Sequence, residues 1–220
     1  MSKSECQNAD WRIIGYEDGA NGSLAAQIGE RRKACAKYDV TPDKVAYDAG
    51  YREGIVAFCS YQRGQQQGMT GEVFSPVCSQ ESDYRTGYDD GVLRYCTYDI
   101  GYTEGLAGRE YRRVCPGDVE GDFLAGYEPG KHINFLRGRL NNFLSTLNNI
   151  DDEQLKLEKQ IDALKGRIAY DKDLSSKQRA DLLSELDRLK DRSHGLDNEQ
   201  TEVEGQIDEL RHELGRLGAD

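Results

Sequence analysis

The side chains of this 220-residue chain with most chemistry to offer are its six cysteines, its three histidines and its paired acids. The cysteines are Cys6, Cys35, Cys59, Cys78, Cys96 and Cys115, and no two stand at C-x-x-C spacing. Zinc ribbons and thioredoxin-like redox sites need that spacing, because two thiolates must reach one metal ion or one another, so the even count points to structural disulfides. His132, His194 and His212 have no serine or cysteine motif beside them, and no nucleophile–base pair is visible. His132 begins a helix and the other two fall off the hydrophobic seam described below, so all three read as surface residues. Asp89 with Asp90 and Asp151 with Asp152 lack the interleaved Asp/Asn/Gly spacing of a calcium loop. Neither glycine motif that cradles phosphate occurs. These residues predict a protein that is not an enzyme, with no catalytic residue, no metal and no cofactor.

Forty acidic against 29 basic residues give a formal charge of -11, a field that repels phosphate backbones and anionic lipid heads. Nucleic acid is excluded as the expected partner, and the basic spot at Arg109, Arg112 and Arg113 sits among acids as a solvated face. No apolar run approaches the ~20 residues of a membrane span.

The elements that carry the cysteines repeat. Residues 50–78 align with 87–115 at a constant shift of 37: Gly50 with Gly87, Tyr51 with Tyr88, Gly54 with Gly91, Cys59 with Cys96, Gly64 with Gly101 and Cys78 with Cys115. Each cysteine pair brackets a glycine triplet, Gly64, Gly68, Gly71 and Gly101, Gly105, Gly108; a longer version holds Gly15, Gly19, Gly22 between Cys6 and Cys35. Sequential pairing follows: Cys6 with Cys35, Cys59 with Cys78, Cys96 with Cys115. Such bridges belong to an oxidising compartment; the competing reading is six reduced thiols in a cytosolic core. The i, i+4, i+7 spacing of each triplet puts three bare positions on one helix face, where another helix can approach closely. The alternative is a turn-rich domain in which each glycine takes a positive φ.

Gly-Tyr-x-x-Gly occurs five times, with Tyr16, Tyr51, Tyr88, Tyr102 and Tyr127 following the first glycine. A tyrosine there can bury its ring against a neighbouring helix and keep its hydroxyl on a carbonyl or in water. The other role for these rings, with Trp11, is to line a groove for a sugar or an aromatic ligand.

The opening Glu5-Cys6-x-x-x-Asp10-Trp11-x-x-x-Gly15-Tyr16-Glu17-Asp18-Gly19-Ala20-x-Gly22, then Cys35 and Tyr47-x-x-Gly50-Tyr51-x-x-Gly54, resembles a bacterial envelope-lipoprotein family known only as a domain of unknown function, DUF2799. Tyr95-Cys96-Thr97, Gly101, Gly105, Gly108, Tyr111, Val114-Cys115-Pro116 and Phe123-Leu124-Ala125-Gly126-Tyr127 complete the pattern over residues 5–130. The resemblance implies export, anchoring by a lipidated cysteine upstream of Met1, and no transferable catalytic residue. The chain departs from the family by an extra cystine unit, Cys59 to Cys78, and by its C-terminal half.

That half, from residue 131, has no cysteine and no proline, and carries heptad spacing instead. One seam runs Leu136, Leu140, Phe143, Leu147, Ile150, Gln154, Leu157, Ile161, Leu164, Ile168; a second runs from Leu182 to Leu217 through Leu186, Leu189, Ser193, Leu196, Gln200, Val203, Ile207, Leu210 and Leu214. Ser175 and Gln178 are spaced as a capping box between them. Helices over about 133–169 and 176–217 joined so briefly fold back as an antiparallel hairpin. Gln154, Ser193 and Gln200 fall mid-stalk, where polar seam residues set register. A two-helix hairpin leaves one side of its seam open, so Leu144, Leu155 and Leu183 are candidates for a further contact: a partner helix, or a second copy.

The expected molecule is all-α, with a disulfide-stapled glycine-rich helical repeat head (residues 1–130) and a long antiparallel coiled-coil hairpin (131–220). Its expected task is structural or adaptor work in the bacterial envelope through protein contacts. It would be periplasmic or extracellular, held to the outer membrane only by the lipid anchor. The alternative is a small-ligand or glycan-binding module using the repeat tyrosines.

Overall fold

The computed structural model describes residues 1–219, and these residues are helical with no strand. The order is α1 Lys3–Gln7, α2 Trp11–Ala20, α3 Gln27–Ala36, α4 Lys44–Phe58, α5 Tyr61–Met69, α6 Ser82–Tyr95, α7 Tyr98–Leu106, α8 Glu120–Tyr170 and α9 Ser176–Arg216, with a short 3₁₀ turn, Pro76–Cys78, before α6. The chain divides into two compact units, Met1–Gly130 and Lys131–Asp220.

In the first unit the glycines decide which helices pair. A Cβ on Gly15 would lie 2.1 Å from the Tyr47 carbonyl oxygen, one on Gly19 2.4 Å from that of Tyr51, and one on Gly50 1.9 Å from that of Arg12. Positions that advance along α2 meet positions that advance along α4, so the two helices run parallel with their backbones in direct contact. The same arrangement recurs between α5 and α6 (Gly64 on Tyr84, Gly87 on Tyr61) and between α7 and the start of α8 (Gly101 on Phe123, Gly126 on Tyr98). The head is therefore built from three copies of one parallel helix pair. The shift-37 alignment straddles these copies, since each aligned block joins the second helix of one pair to the first helix of the next.

Only two glycines of each triplet face the partner helix. The third leaves the helix: Gly22, Gly71 and Gly108 have φ of +69°, +64° and +67°. Each ends its helix in a Schellman motif; Gly22 N–H donates to the Gly19 carbonyl and Ser23 N–H to that of Asp18, and residues 71–72 and 108–109 do likewise. The expectation of three glycines on one face is corrected here. An i+7 position at the helix end serves the stop signal, where a left-handed residue without a Cβ is needed.

Starts are as regular as stops. Asp10, Asp43, Ser60 and Thr97 each accept a backbone N–H in the first turn of α2, α4, α5 and α7. Parallel helices bring like ends of their dipoles together, and a covalent bridge joins those ends in every pair. Cys6–Cys35 precedes α2 and α4, Cys59–Cys78 precedes α5 and α6, and Cys96–Cys115 precedes α7 and α8, with Cα separations of 5.6, 5.5 and 5.7 Å. Each closed loop contributes about 3 kcal/mol in the chain-entropy model. The cystines also serve as core: five of the six half-cystines are at most 3% exposed.

In the second unit α8 and α9 form an antiparallel hairpin. Ile150, Leu157, Leu196, Val203 and Ile207 make one apolar cluster, joined by Leu140, Phe143, Leu144, Leu147 and Leu189. Gln154 donates to Gln200 across the seam at 3.0 Å and to Asp197 at 2.8 Å, fixing register mid-stalk. Ser175 and Gln178 make a reciprocal capping box at the start of α9, and Arg179 donates to the Ile168 and Asp171 carbonyls left open at the end of α8. Helix α8 begins at Glu120, well before the heptad seam and the expected start near 133. Its first turns are glycine-rich and contain Pro129, poor helix formers that are held by packing on α7.

The two glycine classes respond oppositely to a methyl group. Gly50→Ala, which drives Cβ into the backbone of Arg12, lowers unfolding stability by about 2 kcal/mol or more. Gly138→Ala, with nothing within 4 Å, raises it by up to about 1 kcal/mol. Urea unfolding of the two variants checks both signs; equal effects would contradict the packing described.

Candidate functional site

The repeat tyrosines fall into two groups. Tyr51 in α4, Tyr88 in α6 and Tyr127 in α8 donate their hydroxyls to the carbonyls of Ser23, Glu72 and Arg109 at 2.6, 2.8 and 2.8 Å. Each acceptor is the residue after the left-handed glycine of the partner helix, so the second helix of every pair clasps the end of the first. Four residues earlier sits a ring with no exposure at all, Tyr47, Tyr84 or Phe123. It stacks on the clasp ring at centroid distances of 6.1, 6.4 and 5.7 Å. These rings are the head's core, with their polar tips satisfied. Tyr16 and Tyr102 belong to first helices and make no such clasp; Tyr16 is 45% exposed, and Tyr102 stacks on the exposed Tyr98. Trp11 is buried beside Cys6, Cys35 and Tyr47.

Below the Tyr47 hydroxyl lies the buried carboxylate Asp18. It accepts from Tyr47 at 2.8 Å and from both arms of the Arg31 guanidinium at 3.0 and 2.5 Å. The paired carboxylate raises the Arg31 pKa, and burial together with that hydrogen bond pushes the Tyr47 phenol well up. The corresponding residue in the next pair, Gln67, accepts from Tyr84. In the third pair it is Glu104, and the ring opposite, Phe123, has no hydroxyl to offer.

Glu104 instead takes a bidentate ion pair from Arg109, at 2.8 and 2.7 Å. The pair borders a cleft of about 460 Å³ lined by Met69, Thr70, Tyr95, Ile100 and Thr103. A second arm of about 180 Å³ reaches Gly71, Glu110 and Arg112. Arg109 and Arg112, read from sequence as a solvated face, thus edge a cavity. Tyr95 entered the sequence reading only as part of the family pattern and not as a site residue, because it follows an arginine and not a glycine. Setting residue 58 against residue 95 across the shift-37 alignment would have found it.

In the hairpin, Leu155 and Leu183 are 49% and 46% exposed. Leu144 is half-buried and floors, with Leu147 and Ile207, a groove of about 280 Å³ edged by Glu204, Asp208 and Arg211. His132 pairs with Glu213 at 3.2 Å and His194 with Asp197 at 3.8 Å, both exposed. Among the described residues no cluster of three or more His, Cys, Asp or Glu could hold a metal ion, and no helix is long and apolar enough to cross a membrane.

Three cystine-closed parallel helix pairs define the head as a disulfide-stapled helical repeat domain, and its bridges belong outside the reducing cytoplasm. The family model described as "Protein of unknown function (DUF2799)" matches the chain twice, over residues 10–83 and 79–132. Together the matches span more than half of the sequence, and the chain belongs to that family. No curated protein and no solved structure matches it.

Burial raises the phenol pKa of Tyr84, Tyr88 and Tyr47, and pushes that of Tyr95 up to about 12. The unfolded chain releases these protons near pH ~10, where the folded head still holds them. Between those values the unfolded state binds fewer protons, so the stability is whole below pH ~10 and is lost as pH climbs towards ~12. Phenolate absorbance of the buried rings should therefore rise together with loss of helical ellipticity. Ionisation of all 13 tyrosines near pH ~10 with the helices intact would contradict this.

Proposed function

We propose that this chain is a non-enzymatic structural or adaptor protein of the bacterial cell envelope, working through protein contacts of its acidic hairpin and repeat head. The observation that carries this reading is the fate of the repeat's polar chemistry. The hydroxyls of Tyr51, Tyr88 and Tyr127 end on backbone carbonyls, and that of Tyr47 ends on Asp18, so these side chains hold the fold together and face no substrate. The disulfides fit a periplasmic or extracellular site, and the family pattern supports a lipid anchor at the outer membrane.

Leu155 and Leu183 are among the apolar side chains that the hairpin offers outward, and a partner helix or a second copy would cover them. The exposed Tyr16 and the Tyr98–Tyr102 stack favour the second reading, a ligand-binding module using tyrosines of the repeat.

A full-length Leu155→Glu, Leu183→Glu variant tests the hairpin. The expected result is loss of the proteins, or of the second copy, cross-linked to the wild-type chain in intact cells. Light scattering of the purified chain separates those two occupants. The thermal midpoint should stay within a few degrees, since both positions are about half exposed. An unchanged cross-linking pattern would overturn the hairpin's role.

A further inference from the structure

Among the positions at which successive copies of the repeat differ, four bear on one cleft. Phe58 precedes Cys59 as Tyr95 precedes Cys96; Gln67 corresponds to Glu104, Glu72 to Arg109, and Tyr84 to Phe123. At the earlier junction the Phe58 ring lies against Gly22, and Gln67 is committed twice, accepting from Tyr84 and donating to the Val73 carbonyl. At the later one the Tyr95 ring lies against Gly71, where an added Cβ would stand 2.6 Å from its hydroxyl. That hydroxyl has no hydrogen-bond partner among the described residues, although Tyr95 is only 5% exposed and Tyr47, Tyr51, Tyr84, Tyr88 and Tyr127 are all satisfied. With no hydroxyl at Phe123, Glu104 turns instead to Arg109 at the cleft edge, and gain of a hydroxyl at Tyr95 places an unused donor in the same cleft. The first change removes an internal hydrogen bond, and both leave polar groups beside one cavity.

We propose that this cleft binds an uncharged, hydroxyl-rich ligand of the sugar class, with the Tyr95 hydroxyl and the Glu104–Arg109 pair as its polar contacts. Charge argues for neutrality. Arg109 is neutralised in a bidentate pair, and the second arm adds one base, Arg112, and one acid, Glu110. A bound anion would have to break the Glu104 pair. Of the remaining polar groups, Thr70 and Thr103 donate their hydroxyl protons to backbone carbonyls of Gln66, Gln67 and Asp99 and keep lone pairs that accept, while the Tyr95 hydroxyl has its proton to give, a set that matches sugar hydroxyls, which both donate and accept. Met69, 47% exposed, and Ile100 supply the apolar patch that a pyranose C–H face covers. The cleft, about 460 Å³, falls in the range of small-ligand sites. This site uses none of the five Gly-Tyr-x-x-Gly tyrosines and does not rest on the hairpin's role.

The test is an NMR titration of the isotope-labelled full chain with two neutral disaccharides, maltose and N,N′-diacetylchitobiose, and one acidic disaccharide, digalacturonate. At about 10 mM, above a millimolar Kd, at least one neutral sugar should shift the amides of Thr70, Gly71 and Glu104 and leave those of Asn21 and Gly22 still. Tyr95→Phe, which restores the side chain found at position 58, should weaken binding by about 3- to 10-fold with the thermal midpoint unchanged. Glu104→Gln, which restores that found at 67, should weaken it as well. The proposal is overturned by silence towards both neutral sugars, by binding of the acidic sugar alone, or by unchanged affinity in both variants.

Discussion

Backbone meeting backbone is the contact on which the head depends. Two helices approach so closely that a single added carbon would overlap a carbonyl oxygen, and this is possible only where both chains carry glycine. Close approach maximises dispersion contact between main chains, but it needs residues that weaken each helix taken alone. The other devices of the head answer that weakness. Side-chain caps define where the first helices begin, left-handed glycines define where they end, tyrosine hydroxyls hold those ends, and cystines join the starts.

The hairpin solves the same problem differently. Its glycines Gly138, Gly166, Gly195 and Gly205 meet nothing, and stability comes from a long apolar seam with a glutamine pair to select register. One half of the chain thus fixes a short-range geometry with covalent bonds and bare backbone, and the other fixes a long-range one with repetitive side chains. In the head, the glycine geometry recurs while other side chains vary between copies, as Phe58 and Tyr95 do.

Much of this was legible in the residues. The heptad seams specify α9 and most of α8 because the 3.5-residue period has one simple structural meaning, and Ser175 with Gln178 marks a start that the backbone confirms. The in-register repeat of Cys59 and Cys78 with Cys96 and Cys115 is also the pattern of the bridges. What the string of letters hides is direction and partner. Gly15 and Gly50 are far apart in sequence, and nothing in a periodicity says that α2 and α4 run the same way. Gly71 looks like a third member of its triplet because i+7 spacing suits a helix face and a helix stop alike. The cleft was invisible for a related reason: Tyr95, Glu104 and Arg109 belong to different segments, and their distinction lies in how they differ from their counterparts in the preceding copy.

The placement of the bridges also sets how the head would behave under tension. Each cystine joins two nearby points, at sequence separations of 29, 19 and 19, and excludes the residues between them from any path along which a pulling force could travel. Tension between the ends of the head is carried across sulfur, while α2, α5 and α7 sit inside slack loops that no stretch can draw out at ~3.5 Å per residue. Oxidised, the head has a short, capped reach; reduced, the same chain drawn straight would be about twice as long.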